Sequence, residues 1–247
     1  CRWWKSRRSM LIFWQISCEK LVMSEFLLVH GACFGAWAWE GVVPVLERLG
    51  HTARAIDLPG RGGAATLAQQ AQAVVDALRR PTILVGHSAG GFAITAAAQL
   101  DPRLVAGLIY VCAYVPIAGF SLAQMRRAGP SQPLAGTFRV AADRQTFEFD
   151  PAMAPALFFH DCKDPLAAAA RLCTDSVAAM ETALQDTTCA ERLPRGYVVC
   201  DDDRAIPPQY QRAMATDIAR QTALPCGHSP FLAMPEQLAQ CIATSLG

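Results

Sequence analysis

The segment from Thr82 to Leu100 limits the fold most. A short β-rich run, Thr82–Val85, enters Gly86-His87-Ser88-Ala89-Gly90-Gly91, and an Ala-rich helical run, Phe92–Leu100, leaves it. A strand that passes into a helix through so few residues needs a sharp, strained corner, and flanking glycines let neighbouring backbones approach without a Cβ clash. The same alternation extends along the chain. Phe26–His30 reads as a strand, Trp37–Leu49 as a helix, and Thr52–Leu58 as a strand closed by Pro59-Gly60. Thr66 can cap a helix running to Arg80, which Pro81 stops, and Val105–Val111 is the next strand. Strand-like sequence returns at Tyr197–Cys200 and Gln221–Leu224, with helices over Pro208–Ala219 and Pro235–Leu246. This pattern predicts an α/β fold, a mostly parallel central sheet with helices on both faces.

Residues 115–193 break the alternation. They hold several prolines, scattered aromatics and helical stretches at Pro165–Cys173 and Ser176–Leu184, but no βα pair. They read as a helical cap inserted over the sheet, inside a single domain at 23–247. With 52% hydrophobic and 17% charged residues, the chain has ample apolar surface for one core of this size, which excludes disorder. The uncharged run Leu104–Met125 is long enough for a membrane helix, but Gly107, Pro116 and Gly119 interrupt it. A buried parallel strand followed by a turn explains it better, because strands covered on both faces read as continuous apolar runs.

The formal charge of +1 is unevenly spread. Residues 1–22 hold Arg2, Lys5, Arg7, Arg8 and Lys20 against Glu19, which is +4, so the rest carries −3. A mildly acidic body without a basic stripe argues against a nucleic-acid partner. Residues 1–22 begin at Cys1, and their uncharged run, Ser9–Cys18, is too short to span a bilayer and is followed by no A-x-A-like cleavage site. They read as a non-core extension before a start at Met23, with secretion through this segment left open. The ten cysteines contain no C-x-x-C pair and look like small core hydrophobes, so a reducing, cytoplasmic setting is expected.

Gly86-His87-Ser88-Ala89-Gly90 fits G-x-S-x-G with the strand and helix such a motif requires. A serine hydroxyl is a weak nucleophile until a base takes its proton. Of five histidines, His228 in Pro225-Cys226-Gly227-His228-Ser229-Pro230 sits between a short strand and the last helix, on a loop at the strand ends. His30 lies beside a glycine loop, His51 starts a strand, His87 points off the corner, and His160 falls in the inserted block. The base needs a carboxylate, and Asp201-Asp202-Asp203 begins where a strand ends, in the chain order Ser…Asp…His. At this point the three aspartates are not separated. Backbone N–H groups of Ala89 and of Ala32, in the His30-Gly31-Ala32 loop, could hold an oxyanion, with small residues at 31, 32 and 35 letting a substrate approach. Gly60-Arg61-Gly62-Gly63 lacks a Walker lysine, and no cluster has metal-ligand spacing, so no cofactor and no metal are implied.

Together these residues resemble the α/β-hydrolase superfamily. The stretch Leu28-Val29-His30-Gly31-Ala32-Cys33-Phe34-Gly35-Ala36-Trp37-Ala38-Trp39, the Gly86–Gly91 corner, and Ile206-Pro207 with Gln211 resemble the branch of plant methylesterases and hydroxynitrile lyases. The resemblance runs from Ser24 to Gly247 and is weakest over 120–190. It implies that Asp203, four residues before Pro207, is the acid, with Asp202 second; Cys200 stands where the superfamily has glycine. The lyases of this branch carry threonine after the first-loop histidine and lysine after the catalytic one, where this chain has Gly31 and Ser229. Ester hydrolysis is therefore the expectation, on small, largely apolar carboxylic esters, through an acyl-enzyme at Ser88. The alternatives are a lyase or C–C bond hydrolase with the same triad, or a non-catalytic small-molecule receptor. Phe34, Trp37, Tyr114, Phe147, Phe149, Phe158 and Phe159 are candidate pocket walls. The expected partner is the ester itself, with a homodimer left open.

Overall fold

The structure, a computed structural model, describes residues 23–246; the reading of 1–22 as an extension lies outside the described residues. In chain order the strands are β1 (Glu25–Val29), β2 (Thr52–Ile56), β3 (Thr82–His87), β4 (Val105–Val111), β5 (Phe138–Val140), β6 (Thr146–Phe149), β7 (Asp175–Ser176), β8 (Arg195–Cys200) and β9 (Arg220–Leu224). Six of them form one sheet in the order β2-β1-β3-β4-β8-β9. Every neighbouring pair in it is parallel, as strand–helix alternation requires. Successive side chains of a strand point to opposite faces. In β1, Leu27 and Val29 pack into a core with the helices Leu67–Ala77 and Gly90–Leu100, while Phe26 and Leu28 pack into a second core with Val43–Arg48 and Pro235–Thr244.

Both faces of the middle strands are thus covered, which accounts for the long apolar run. In β4 every residue but Ala106 is buried, and among the described residues no helix is long and apolar enough to cross a membrane. Thr66 caps its helix as the sequence suggests: its side chain accepts from the Gln69 N–H at 3.2 Å, and the Gln69 side chain accepts from the Thr66 N–H at 2.8 Å. The predicted helix Trp37–Leu49 is instead a 3₁₀ turn, Ala36–Trp39, followed by a helix at Val43–Arg48. Pro44 explains the restart, because it suits the first turn of a helix and would break an interior one.

Residues 115–193 hold short helices, at Leu122–Ala128, Ala154–Phe158, Pro165–Ala169, Val177–Glu181 and Thr188–Arg192. They also hold a small antiparallel sheet, β5-β6-β7, that the helical reading did not include. The alternation Phe147-Glu148-Phe149 was its one sequence signal, too short to separate from a loop. The expected helix over Ser176–Leu184 starts one residue later and ends at Glu181, because Asp175 and Ser176 pair with Phe147 and Thr146 of β6.

Candidate active site

Ser88 sits where β3 ends, in the left-handed region at φ +52°. Such a conformation costs a non-glycine residue about 1–3 kcal/mol and persists only where the surroundings impose it. Here the Ser88 N–H donates to the Val111 carbonyl at 3.2 Å, and the Ser88 carbonyl accepts from Tyr114 at 3.1 Å and Gly91 at 3.2 Å. The neighbouring glycines are required by space. A Cβ on Gly86 would lie 2.8 Å from the Gly90 carbonyl, one on Gly90 2.6 Å from the His30 oxygen, and one on Gly91 would collide with the Tyr114 oxygen.

His228 and Asp203 meet at the same end of the sheet, on the loops after β9 and β8. Asp203 Oδ2 lies 2.8 Å from His228 Nδ1, and both side chains are buried. The remaining acceptor sites of Asp203 are filled by the N–H groups of Ala205 at 2.7 Å and Ile206 at 2.9 Å and by Gln211 Nε2 at 2.8 Å. Gln211 is itself fixed, since its Oε1 accepts from the Cys200 N–H at 3.0 Å. A carboxylate that holds Nδ1–H leaves Nε2 as the ring nitrogen that can take a proton.

The three aspartates have three different partners. Asp202 pairs with His160 at 2.9 Å and Asp201 with Arg212 at 2.7 Å, so neither simply solvates the loop. The hydrogen bond from His160 holds the Asp202 carboxyl below the usual range. The other histidines are committed elsewhere. His30 Nδ1 donates to the Gly31 carbonyl at 2.8 Å and its Nε2 accepts from the Leu58 N–H at 2.9 Å; burial lowers its pKa. His51 Nδ1 accepts from the Ser24 N–H at 3.3 Å. His87 Nε2 donates to the His228 carbonyl at 2.9 Å, with the two ring centroids 4.7 Å apart, which sets His228 beside the corner that carries Ser88. Burial keeps the His87 pKa well below its ordinary value, so His87 stays neutral.

His87, Cys112 and His228 bring their ligand atoms within 4.8 Å of one another. The Cys112 thiol, pushed up to about 12 by burial, points its Sγ to the His228 carbonyl at 3.5 Å, as His87 does. His87 and Cys112 both point to the His228 carbonyl, so in this structure the trio packs behind the His228 loop.

The first loop closes the site from β1. Among the described residues no acceptor is assigned to the N–H of Ala32 or of Ala89, and both residues line the same cavity as Ser88. Cys33, the next residue, has φ +67°, and its N–H donates to Asp175 Oδ2 at 2.8 Å. Asp175 belongs to β7, is 3% exposed, and also accepts from the Ser176 N–H at 2.7 Å. Burial pushes its carboxyl up, and the two N–H donors oppose that. The loop's small residues serve differently from expectation. A Cβ on Gly31 would lie 2.8 Å from Ser88 Cβ, and one on Gly35 would meet Arg61 and Asp57, so both glycines admit protein neighbours; of the three positions only Ala32 lines the cavity.

The cavity, about 110 Å³, has Ser88, Ala32 and Ala89 at the sheet ends, and Leu122, Ala123, Leu134, Val140, Phe147, Phe149, Val177 and Met180 from residues 115–193. Its charged lining residues are Arg126 and Glu181. Of the aromatics put forward from sequence, Tyr114, Phe147 and Phe149 line it. Phe34, Phe158 and Phe159 are core instead, with Phe34 and Phe158 packed at 6.4 and 5.5 Å from the His228 ring. Trp37 stacks on Phe34 and lies under Arg171. Phe138, Arg126 and Glu181 were missed, because nothing local marks which residues of an irregular block will face a distant sheet end.

Comparison with known proteins places this arrangement. A family described as the alpha/beta hydrolase family matches residues 26–241. A pyrethroid hydrolase of Sphingobium wenxiniae is 30% identical over 259 residues, covering 90% of this chain and 88% of that one. Methylesterase 7 of Arabidopsis thaliana is 26% identical over 252 residues, covering 89% and 95%. Among solved structures, a pyrethroid hydrolase from Sphingobium faniae JZ-2 superposes with a TM-score of 0.79 at 28% identity, covering 90% of this chain and 96% of that one. With its parallel sheet, its serine corner and a match over most of its length, the chain belongs to the alpha/beta hydrolase family.

Proposed function

We propose that the chain is a serine carboxylesterase acting on small, largely apolar carboxylic esters, with residues 115–193 as a cap over the site. The buried Asp203–His228 pair carries this reading, because the His228 loop is tied to His87, the residue before the strained Ser88, and Ser88 lines a cavity with Ala32 and Ala89, whose N–H groups have no acceptor among the described residues. In the mechanism, His228 Nε2 takes the Ser88 proton as Oγ attacks the ester carbonyl. Asp203 keeps Nδ1 protonated and stabilises the imidazolium. The N–H groups of Ala32 and Ala89 donate to the developing oxyanion, where preorganised donors act without reorganising. His228 then protonates the leaving alkoxide, and a water deprotonated by His228 releases the acid. Relatives named as a pyrethroid hydrolase and as methylesterase 7 support this reading. The apolar cavity lining supports an apolar ester body.

Turnover of methyl, aryl and short alkyl esters by purified Ser88→Ala tests it. The expected loss in kcat is about 10⁴–10⁶-fold with the fold retained by circular dichroism. A variant keeping a tenth of the activity, or a wild type that a fluorophosphonate does not label at Ser88, refutes the reading.

A further inference from the structure

Arg126 is the cation of this cavity that has no carboxylate. It lies in the last turn of Leu122–Ala128 and lines the cavity together with Phe138. Its guanidinium carbon stands 5.1 Å from the centroid of the Phe138 ring. Among the described residues no ion pair or side-chain hydrogen bond is assigned to that guanidinium. Its neighbour Arg127 differs in this respect. Arg127 holds both oxygens of Glu181, at 3.1 and 3.3 Å, and Glu181 is the one carboxylate that lines the cavity among the described residues. Arg126 and Glu181 are the charged residues that line the cavity, and with Glu181 held by Arg127 the Arg126 guanidinium has no carboxylate of its own among the described residues.

A half-buried guanidinium keeps five N–H donors that neither an aromatic face nor alkyl walls can satisfy. The Phe138 ring favours a cation over its face and restrains the planar fork, which lowers the entropy lost when the fork takes up a ligand. The group that matches it is a second carboxylate, bound through two parallel N–H···O bonds. The sheet-end floor already provides for the scissile carbonyl at Ala32 and Ala89.

From this we infer that Arg126 is a carboxylate subsite in the cap, so that favoured substrates are monoesters of dicarboxylic acids. Such a substrate has an ester at one end, an apolar chain between, and an ionised carboxylate at the other. The inference rests on the esterase reading and narrows it.

The test compares kcat/KM for monomethyl esters of dicarboxylic acids of increasing length with that for methyl esters of the same length ending in a methyl group. At the best length the wild type should favour the carboxylate ester about tenfold or more. In Arg126→Met that ratio should fall to about one, and Arg126→Lys, which keeps the charge without the fork, should lie between. Raising salt should shrink the wild-type ratio and leave that of Arg126→Met unmoved. A ratio at or below one in the wild type, or one unchanged in Arg126→Met, overturns the subsite and leaves the esterase reading standing. Turnover of neither ester series overturns the esterase reading and the subsite with it.

Discussion

Ser88, Ala32 and Ala89 line the cavity from the ends of β3 and β1, whereas Arg126, Phe138 and Met180 line it from the cap. The sheet-end side is shaped by backbone. Glycines at 31, 86, 90 and 91 leave no room for a Cβ, and the Ser88 corner is tied to β4 through the Val111 carbonyl. The cap side is attached over long sequence distances, by backbone bonds from the Cys173 N–H to the Cys33 carbonyl at 3.0 Å and from the Gly62 N–H to the Thr174 carbonyl at 2.7 Å, and by side chains. Asp175 holds the Cys33 N–H, Asp161 Oδ2 accepts from the Gly227 N–H at 2.6 Å, and His160 holds Asp202. Each of these side-chain contacts touches one of the loops that carries Ala32, His228 or Asp203. Residues 115–193, which we propose as a cap, therefore hydrogen-bond to each of the loops that carry Ala32, His228 and Asp203.

Asp203→Ala separates the two sides most sharply. It removes the partner of His228 Nδ1 from the sheet-end side and leaves the cap contacts intact. The loss in kcat should be about 10³–10⁴-fold, with the pH dependence of kcat altered because Nδ1 is no longer held protonated. Since Ala205 and Ile206 lose their acceptor and Gln211 loses one of its own, the melting temperature should fall as well. A kcat within tenfold of wild type would show that the sheet-end side does not carry the chemistry alone.

Asp175→Ala probes the cap side. If β7 holds the Ala32 N–H in place through the left-handed Cys33, this substitution should lower kcat about 10–100-fold while KM changes little. Asp175→Asn keeps an oxygen for the Cys33 N–H and should recover part of that loss. Equal kcat in both variants, with only a lower melting temperature, would reduce Asp175 to a structural contact and break the coupling between cap and loop.

The same division explains what could be read from the chain beforehand. Gly86–Gly91, the parallel strands and the His228 loop follow from local rules, in which a strand ends, a corner needs glycine, and a helix begins. Asp203 was singled out by family resemblance, since sequence alone left three neighbouring carboxylates open; in the structure each proves to have a different partner. The cap resisted because its contacts are non-local. Asp175 lies 142 residues from Cys33, and Asp161 lies 66 from Gly227. Nothing in the stretch around Arg126 tells it apart from Arg127; the placement of Phe138 and Glu181 does so.

The mildest substitution addresses the His160 contact to the aspartate loop. Asp202→Asn leaves Asp203 and His228 untouched but removes the charge that faces His160 Nε2 at 2.9 Å. The Asp202 side chain is 64% exposed, so water screens that pair and can replace it. The loop has other restraints: the Asp202 N–H donates to the Cys226 carbonyl at 3.0 Å, and Asp161 still holds Gly227 from the cap. An amide can also accept from the His160 ring. Activity should therefore stay within about threefold of wild type, because an exposed pair with a replacement partner contributes little. Steady-state kinetics of Asp202→Asn beside Asp203→Asn makes the contrast direct. An Asp202→Asn loss as large as that of Asp203→Asn would mean that the aspartate loop depends on residues 115–193 for its carboxylate chemistry, and the division between the two sides of the cavity would fail at its nearest point.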